Sequence, residues 1–420
     1  MSARERVAVI GAGVSGLTAA YLLRQRHEVT VFEARSVLGG HADTHDVPTP
    51  DGAVVPVDTG FIVYNEHTYP YLTRLFAELG VTTQRSDMSM SVRCAQCGLE
   101  YAGGRRGRGL LPAGDQHVWP RYARMLAEIP RLHRAARDLI DGPAPDDVTL
   151  GDFLRAGGYS RYLVDHYALP LVAAVWSGGE QTSLSYPAAH LFTFLDNHGM
   201  LRARPDLRWR TVTGGSRRYV ELIAKRLATV RPATTVRAVR RHPDGVEIVD
   251  AAGVTHDVDR VVLATHADQA LGLLADPTND EKEVLGAFTY TRNKMCLHVD
   301  DTLLPRRART QASWNYLKSA CGGGEQVVMS YHMNRLMQLC EPLDYLVTLN
   351  GRARVDDAAV IATGSYEHPV FTPATRAAQR RLPDLTDPRT AYAGAYHGWG
   401  FHEDGCVSGV RAAAAFSVRW

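Results

Sequence analysis

Residues 7–17 read VAVIGAGVSGL, an apolar run that leads into three glycines with the spacing G-x-G-x-x-G. The apolar run predicts a short buried strand, and the residues after Gly16 predict a helix. In such a turn Gly11 permits the tight bend, Gly13 lets the backbone approach a pyrophosphate, and Gly16 lets the helix pack against the strand. The helix N-terminus then offers free N–H groups and its positive dipole end to the phosphates. The stretch therefore predicts a phosphate-binding turn.

A second strand ending in an acid follows the glycine turn. Residues 27–33 read HEVTVFE, and Glu33 lies seventeen positions after Gly16. A carboxylate at this place binds ribose hydroxyl groups and would repel the 2′-phosphate of NADP. A Rossmann-like dinucleotide site requires a strand, a turn, a helix, a second strand and an acid, and they occur here in that order. A glycine-rich turn without a ligand would not explain this order.

A glycine pair, Gly39 and Gly40, comes shortly after the acid and is followed by His41. This arrangement resembles the extended fingerprint of FAD enzymes in the flavin-containing amine oxidase and phytoene desaturase superfamily. The resemblance implies FAD as the cofactor. Those enzymes usually carry arginine after the pair, whereas His41 is only partly protonated at neutral pH. Cys406 or His41 could attach a flavin covalently, but no motif demands it, so we expect non-covalent FAD.

The resemblance returns further along the chain. It covers the turn at Gly214-Gly215, the apolar strand that ends at Thr265, and the glycine-rich segment from Ala391 to Ala413. In related flavoenzymes the helix of this last segment points its N-terminus at the flavin, where its dipole stabilises negative charge. The cofactor contacts predicted from the pattern and the resemblance together are Gly11, Gly13, Val14, Ser15, Gly16, Glu33, Ala34, Gly39, Gly40, His41, Thr59, Gly60, Phe61, Val236, Thr265, Gly398, Phe401, Glu403, Asp404 and Val407.

Three longer segments resemble a narrower group. Residues 39–44 (GGHADT), 58–65 (DTGFIVYN) and 398–405 (GWGFHEDG) are similar to bacterial flavoproteins often encoded beside cyclopropane or methyl-branched fatty acid synthases, and to the flavoprotein half of plant cyclopropane fatty acid synthases. This resemblance implies an unsaturated or methylated acyl chain as substrate and a lipid methyltransferase as partner. The substrate is inferred here by analogy with the family and not from the chemistry of a binding site.

These patterns predict a mixed α/β (α+β) fold with a Rossmann-like FAD-binding domain that is discontinuous in sequence. Its three segments are residues 1–80, 208–270 and 390–420. A substrate domain of sheet plus helices is inserted between them as residues 81–207 and 271–389. A chain of 420 residues is long enough for two such cores.

The predicted activity is that of an FAD-dependent oxidoreductase that oxidises or desaturates a lipid acyl chain by hydride transfer to flavin N5. The catalytic base is not identified by any motif. The candidates are His67, His402 and Glu403, each of which could instead cap a helix or bind the ribitol chain. The apolar stretches 168–176 and 191–195 could line a substrate pocket or belong to the core.

Two alternatives remain open for the function. A flavin amine oxidase acting on a small amine would need an aromatic cage, for which Trp314, Tyr331 and Tyr396 are candidates. A flavin-bound accessory partner of a lipid-modifying methyltransferase would need no substrate of its own. The sequence leaves the oligomeric state undetermined.

The composition of the chain limits the classes of partner that we expect. The net charge of +2 gives no reason to expect nucleic acid. No run of eighteen apolar residues occurs, and no apolar segment precedes Val7, so we expect a cytoplasmic protein without a membrane span. Arg105, Arg106 and Arg108 could touch an anionic membrane surface from the periphery, or could simply belong to a solvated loop.

The six cysteines are scattered along the chain, which suits a reducing compartment. Cys94 and Cys97 form its single C-x-x-C, which could be half of a zinc site or a redox pair. No second pair stands nearby to supply two more ligands. The sequence therefore predicts no metal and two free thiols in a loop.

Overall fold

The computed structural model describes residues 4–49, 51–103, 109–111, 118–142, 147–201, 207–322 and 328–420. Arg105, Arg106 and Arg108 lie outside these ranges. Within them the chain forms two main sheets flanked by helices, the mixed architecture that the sequence predicts.

The strands in chain order are β1 (Arg6–Ile10), β2 (Glu28–Phe32), β3 (Thr44–Pro48), β4 (Val54–Asp58), β5 (Tyr64–Asn65), β6 (Thr83–Arg85), β7 (Met90–Cys94), β8 (Glu100–Gly103), β9 (Trp209–Val212), β10 (Thr229–Arg231), β11 (Val236–His242), β12 (Gly245–Asp250), β13 (Thr255–Val258), β14 (Arg260–Leu263), β15 (Thr289–His298), β16 (Trp314–Lys318), β17 (Val328–His332), β18 (Leu346–Leu349), β19 (Val360–Val370) and β20 (Thr390–Tyr392).

The α-helices are α1 (Val14–Leu23), α2 (Pro70–Leu79), α3 (Trp119–Asp141), α4 (Leu150–Ala156), α5 (Arg161–Leu163), α6 (Leu169–Trp176), α7 (Glu180–Leu184), α8 (Ala188–Asn197), α9 (Arg217–Ala224), α10 (Ala267–Leu273), α11 (Asn279–Gly286), α12 (Met333–Leu336), α13 (Pro373–Arg381) and α14 (His402–Ala415). In the described ranges, none of the helices combines the length and the apolar character needed to cross a membrane.

A parallel five-stranded sheet carries the glycine turn. Its order is β10-β2-β1-β14-β20, so the two ends of the chain meet in one sheet. Strand β1 is buried on both faces, with Val7 and Val9 in the core beneath α1 and Ala8 and Ile10 in the core on the opposite face. Such two-sided burial is why a parallel strand reads as a continuous apolar run.

Helix α14 packs directly on α1. The contact is close because α14 presents glycine: a Cβ on Gly409 would lie 2.4 Å from the carbonyl oxygen of Ser15. The C-terminal segment is therefore held against the glycine turn, and the sheet brings the first and last predicted fingerprints to the same place.

The second sheet has seven strands in the order β19-β15-β18-β17-β16-β7-β8. Helices α3 to α8 bury their apolar faces in one core that also receives Tyr316 and Met329 from this sheet. Within residues 271–389, however, α11 and α13 pack under the five-stranded sheet, where Val284 and Ala378 enter its core. Part of the segment predicted to belong to the substrate domain thus packs against the parallel five-stranded sheet.

Candidate active site

A cavity of about 730 Å³ opens between the two main sheets. One end is walled by Ile10 and Phe32, the last residues of β1 and β2, and by Thr265 after β14. The other end is walled by Trp314 and Tyr331 of the seven-stranded sheet. The cavity therefore lies outside the carboxyl ends of the parallel strands, where ligands of open α/β sheets bind.

The glycine turn has the shape that a dinucleotide needs. Gly11 adopts φ of +103°, and a Cβ there would lie 2.6 Å from the carbonyl oxygen of Ala264. A Cβ on Gly16 would lie 1.9 Å from the carbonyl oxygen of Gly11. At Gly13, by contrast, a Cβ would meet nothing within 4 Å, because this glycine faces the cavity. The backbone at Gly13 is thus open to a pyrophosphate, so the residues present fit FAD.

Glu33 lies at the dinucleotide end of the cavity. One carboxylate oxygen accepts a hydrogen bond from the backbone N–H of Ala12 at 2.8 Å, and the other accepts from that of Arg35 at 2.9 Å. A carboxylate has about four acceptor positions, so these two bonds orient Glu33 and leave capacity for ribose hydroxyl groups.

Most of the predicted cofactor contacts lie on the cavity wall. Those on the wall are Gly11, Gly13, Val14, Ser15, Glu33, Ala34, Gly40, His41, Thr59, Gly60, Phe61, Val236, Thr265 and Phe401. Those that do not contribute to it are Gly16, Gly39, Gly398, Glu403, Asp404 and Val407. Gly16 and Gly39 are close-approach positions, since a Cβ on either would lie within 3 Å of a backbone oxygen.

The two acids at the start of α14, Glu403 and Asp404, accept hydrogen bonds from backbone N–H groups, and neither lines the cavity. The two oxygens of Glu403 accept from the N–H groups of Tyr71 and Leu72, both at 2.9 Å. Asp404 accepts from the N–H of Phe401 at 2.9 Å, and burial raises the pKa of this carboxyl to about 7. Glu403 therefore caps the N-terminus of α2, and Asp404 closes the loop that precedes α14.

Replacing Glu403 with alanine is expected to destabilise the protein by about 1–2 kcal/mol, because two N–H groups at the N-terminus of α2 lose their acceptor. Glu403→Gln keeps one acceptor oxygen and is expected to lose less. Urea denaturation measures the free energy of unfolding. A normal unfolding free energy together with a large fall in kcat for Glu403→Gln would contradict a capping role and support a catalytic one.

The structure places the two histidine candidates for catalysis, His67 and His402, in different surroundings. His402 lines the cavity and stacks on Phe61 at 3.7 Å between ring centroids, with Nε2 3.2 Å from the Tyr219 hydroxyl. Burial lowers the pKa of His402 to about 3, so its imidazole is neutral at neutral pH. His67 is exposed and is not part of the wall. Of the two, only His402 is placed to touch a bound cofactor.

Two further histidines join His41 on the wall. The rings of His41 and His368 lie 5.7 Å apart, and His266 stacks on Tyr290 at 4.2 Å. Burial, and then the neighbouring His368, hold the pKa of His41 well below its ordinary value; burial lowers that of His368 to about 4. Nε2 of His41 has no hydrogen-bond partner within the described residues. The lowered pKa keeps the His41 imidazole neutral on the cavity wall at neutral pH.

The opposite end of the cavity is apolar and aromatic. Trp314 and Tyr331 meet edge to face, with ring centroids 5.4 Å apart at 83°. Tyr396 also lines the cavity, but its ring packs on Phe288 in the core beneath the five-stranded sheet and makes no described ring contact with Trp314 or Tyr331. The wall at this end is formed by Ile62, Val63, Met88, Ala174, Val175, Trp176, Ser177, Phe194, His198, Met200, Trp209, Trp314, Tyr331 and Leu349.

Carboxylates are confined to the cofactor side of the wall. Among the described residues that line the cavity, the acids are Glu33 and Glu367. Glu367 binds Arg292 at 3.0 Å and lies 3.5 Å from Nδ1 of His266. The aromatic end therefore lacks a described acid that could bind an ammonium group.

Sequence reasoning found the residues that belong to glycine motifs and missed those delivered by tertiary structure. Met88, Met200 and Trp209 come from loops or strand starts that no motif marks. His368 lies on β19, where nothing in the local sequence separates it from an ordinary strand residue. His266 directly follows the predicted contact Thr265 after β14, so its position in the sequence could have identified it as a wall residue.

Comparisons with known proteins agree with this geometry. A profile of the family described as flavin containing amine oxidoreductase matches residues 14–302. A relative in Mycobacterium tuberculosis, AofH, whose name assigns it to the flavin-containing monoamine oxidases, is 29% identical over 284 residues. That match covers 64% of this chain and 59% of the relative's length.

Solved structures share the fold across almost the entire chain. Cyclohexylamine oxidase from Brevibacterium oxydans superimposes with a TM-score of 0.70 at 16% identity, covering 98% of both chains. A fatty acid isomerase from P. acnes that produces CLA gives a TM-score of 0.70 at 17% identity, also covering 98% of both chains. Since amine and fatty acid enzymes match equally well, the fold alone does not select the substrate.

Proposed function

Because the chain belongs to the flavin-containing amine oxidoreductase family and FAD is its cofactor, we propose that it oxidises or desaturates a fatty acyl chain. When bound, FAD supplies the acceptor for the hydride that leaves the substrate. The protein's own part is to bind the chain in the aromatic end of the cavity, exclude water and hold one C–H bond toward the cofactor side.

The observation that carries this proposal is the chemistry of the aromatic end. Apolar side chains such as Met88, Val175 and Leu349 bury an alkyl chain favourably, at about 0.8 kcal/mol for each CH₂ group. An ammonium ion bound there would lose its hydration without gaining a carboxylate partner, which is costly. The described wall therefore favours a hydrocarbon substrate over a charged amine.

The aromatic end also holds a buried hydrogen-bond donor, the indole N–H of Trp314. Nε1 of Trp314 is buried and has no partner within the described residues. Buried donors are usually paired, so an unpaired one on a cavity wall is suited to a ligand acceptor. A carbonyl or carboxylate oxygen of an acyl group meets that requirement, whereas an ammonium group, which only donates, does not.

Amine oxidation is the second candidate. The edge-to-face pair of Trp314 and Tyr331 could receive a cation against its ring faces, and the named relatives include amine oxidases. Tyr396 lines the same cavity, but its ring packs on Phe288 and makes no described ring contact with this pair.

Anaerobic reduction of the flavin separates the candidates. Purified holoprotein is mixed, without oxygen, with phospholipids carrying unsaturated, methyl-branched or cyclopropane chains, and separately with monoamines and polyamines. We expect bleaching of the flavin by a lipid and not by an amine, with mass spectrometry locating the lost hydrogens. Bleaching by amines alone would overturn the proposal. If neither class bleaches a flavin that dithionite reduces, the protein is better explained as an accessory partner of a lipid methyltransferase.

Met88→Glu is expected to lower kcat/KM for the lipid at least tenfold, because it places a carboxylate among apolar side chains that must receive the acyl chain. Met88 is half-buried and lies outside the helices and strands, so its replacement spares the main cores. Met88→Leu keeps the apolar surface and is the matched control. FAD content, read from the visible spectrum, should be unchanged in both variants. Equal lipid turnover by Met88→Glu and the parent protein would place the acyl chain elsewhere.

A further inference from the structure

Four side chains that commonly bind metal meet away from the flavin cavity. They are Cys94, Cys97, His166 and Cys321, and their ligand atoms all lie within 4.8 Å of one another. The two cysteines of the C-x-x-C were predicted to be free thiols because no second pair stands nearby. The fold supplies the missing partners from far along the chain, His166 at 69 residues from Cys97 and Cys321 at 227 residues from Cys94.

The spacing is that of a tetrahedral site. The sulfur atoms of Cys94 and Cys321 are 3.7 Å apart, and the sulfur of Cys97 is 3.7 Å from Nε2 of His166. Zinc–sulfur bonds of about 2.3 Å and zinc–nitrogen bonds of about 2.0 Å give tetrahedral edges of about 3.8 Å between two sulfurs and about 3.5 Å between sulfur and nitrogen. Both separations agree with such edges.

The C-x-x-C forms the turn between β7 and β8. Cys94 ends β7, its N–H donates to the carbonyl oxygen of Leu99 at 2.9 Å, and its own carbonyl oxygen accepts from Gly98 at 3.0 Å. Gly98 adopts φ of +71°, which favours glycine, so the turn can close tightly. The closed turn keeps both thiols at one edge of the hairpin.

Cys321 is delivered by the neighbouring strand. Strand β16 runs parallel to β7 in the register Lys318 to Cys94, so the residues after β16 pass beside the turn. The carbonyl oxygen of Lys318 accepts from Ala95 at 2.8 Å, and the N–H of Cys321 donates to the Gln96 side chain at 2.7 Å. These two hydrogen bonds, one between backbone groups and one to the Gln96 side chain, therefore hold the segment that carries Cys321 beside the turn without any bond between sulfurs.

His166 presents the correct nitrogen. It lies in a single π-helical turn, Val164–Ala168, a feature frequently found at functional sites. Its Nδ1 lies 3.1 Å from the carbonyl oxygen of Tyr162, which fixes the proton on Nδ1 and leaves the lone pair on Nε2. Metal-bound histidines are oriented in this way. The Tyr162 ring stacks on the imidazole at 4.1 Å and limits its rotation.

We propose that these four residues bind one zinc ion in a closed, structural site. Three thiols and an imidazole are the ligands of a Cys₃His site, and all four positions are filled by protein, which leaves none for a substrate. Cys94 and His166 are buried, with exposed fractions of 1% and 0%, while Cys97 and Cys321 are half-buried.

The ion ties together elements that build the aromatic end of the cavity. The π-turn leads directly into α6, which carries Val175 and Trp176 on the wall. Strand β16 begins with the wall residue Trp314, and Met88 precedes β7. A bond from each element to one zinc would thus fix their relative positions without touching the FAD-binding sheet.

Elemental analysis of the purified holoprotein tests the site. We expect about one zinc per chain, which is retained on dialysis and lost, with at least a tenfold fall in content, in Cys97→Ser and Cys321→Ser. Cys340→Ser is the matched control, since Cys340 is a free, exposed cysteine outside the cluster and its replacement should keep the zinc. FAD content of the soluble variants should be unchanged, which separates loss of metal from general unfolding.

Cobalt provides a readout that does not depend on the variants. Parent protein produced with Co²⁺ should show thiolate-to-metal charge-transfer absorption and the intense visible bands of tetrahedral cobalt. Parent protein without bound zinc, iron in place of zinc, or mass spectra showing a disulfide between Cys94 and Cys321 would each overturn the proposal. The site does not depend on the substrate, so these outcomes leave the proposed oxidation of acyl chains untouched.

Discussion

Replacing Gly13 with alanine is expected to weaken FAD binding by about tenfold or more, because the new methyl group occupies the place where the backbone approaches the pyrophosphate. The fold itself should tolerate the change. Gly13 has φ of −75° and ψ of −179°, which alanine adopts freely, and its Cβ would meet no atom within 4 Å. Loss of one glycine from the unfolded chain even favours folding, by about 0.4–1 kcal/mol.

Gly16→Ala is the matched comparison, since it adds the same methyl group to the same motif. There the Cβ would lie 1.9 Å from the carbonyl oxygen of Gly11, so the turn must open and both stability and FAD binding should fall. Urea denaturation of the apoproteins and titration with FAD give the two quantities separately. If Gly13→Ala bound FAD as tightly as the parent chain, the pyrophosphate would have to lie elsewhere in the cavity.

The elements that could be predicted from sequence are those whose physical cause is local. The glycine turn requires glycines at fixed spacing, so residues 7–17 predict β1, the turn and α1 correctly. The amphipathic pattern from Tyr69 to Leu79, followed by Gly80, likewise predicts a helix, and it forms α2, which ends where Gly80 adopts φ of +74°. The residues from Trp119 to Ile140 also predict a helix from their own pattern, and they form α3. In these cases a short segment carries the complete signal.

The site residues that belong to no sequence motif are brought together by pairing between strands that are distant in sequence. His368 reaches His41 because β19 pairs with β15, and Cys321 reaches Cys94 because β16 pairs with β7. Neither pairing can be read from a single sequence, since long-range strand partners leave no local pattern. For the same reason the hydrogen bonds from the N-terminus of α2 to Glu403, a residue of the C-terminal fingerprint, could not be predicted from the sequence.

Lowering the pH from 7 to 5 is expected to remove several kcal/mol from the free energy of unfolding. Buried imidazoles are the cause, because each is neutral in the folded protein and gains a proton on unfolding. Burial lowers the pKa to about 3 for three of these histidines and to about 4 for three others: His190, His397 and His402, then His198, His298 and His368.

The sign follows from proton uptake. Between the folded pKa values near 3 or 4 and an unfolded value of about 6.5, the unfolded chain binds more protons, so stability falls as the pH falls through that window. At pH 5 each such histidine costs about 2 kcal/mol. Buried carboxyls act in the opposite direction, since burial raises the pKa of Asp58 to about 6, that of Asp404 to about 7, and those of Asp165 and Glu403 above their ordinary values. Acidification leaves a net loss of stability because these carboxyls are outnumbered by the imidazoles with a lowered pKa, which also include His41, His133, His266 and His332.

His190→Leu isolates one of these contributions. His190 lies off the cavity wall, stacked on Trp399 at 5.5 Å, and its Nε2 has no partner within the described residues, so leucine removes the titrating group at small cost in packing. Urea denaturation at pH 7 and pH 5 should show a fall in unfolding free energy that is about 2 kcal/mol smaller than in the parent protein. The exposed His67→Leu is the control for loss of a surface imidazole. Equal pH dependence in the parent and His190→Leu proteins would mean that His190 already titrates in the folded state, and the acid sensitivity would then have to arise from another group.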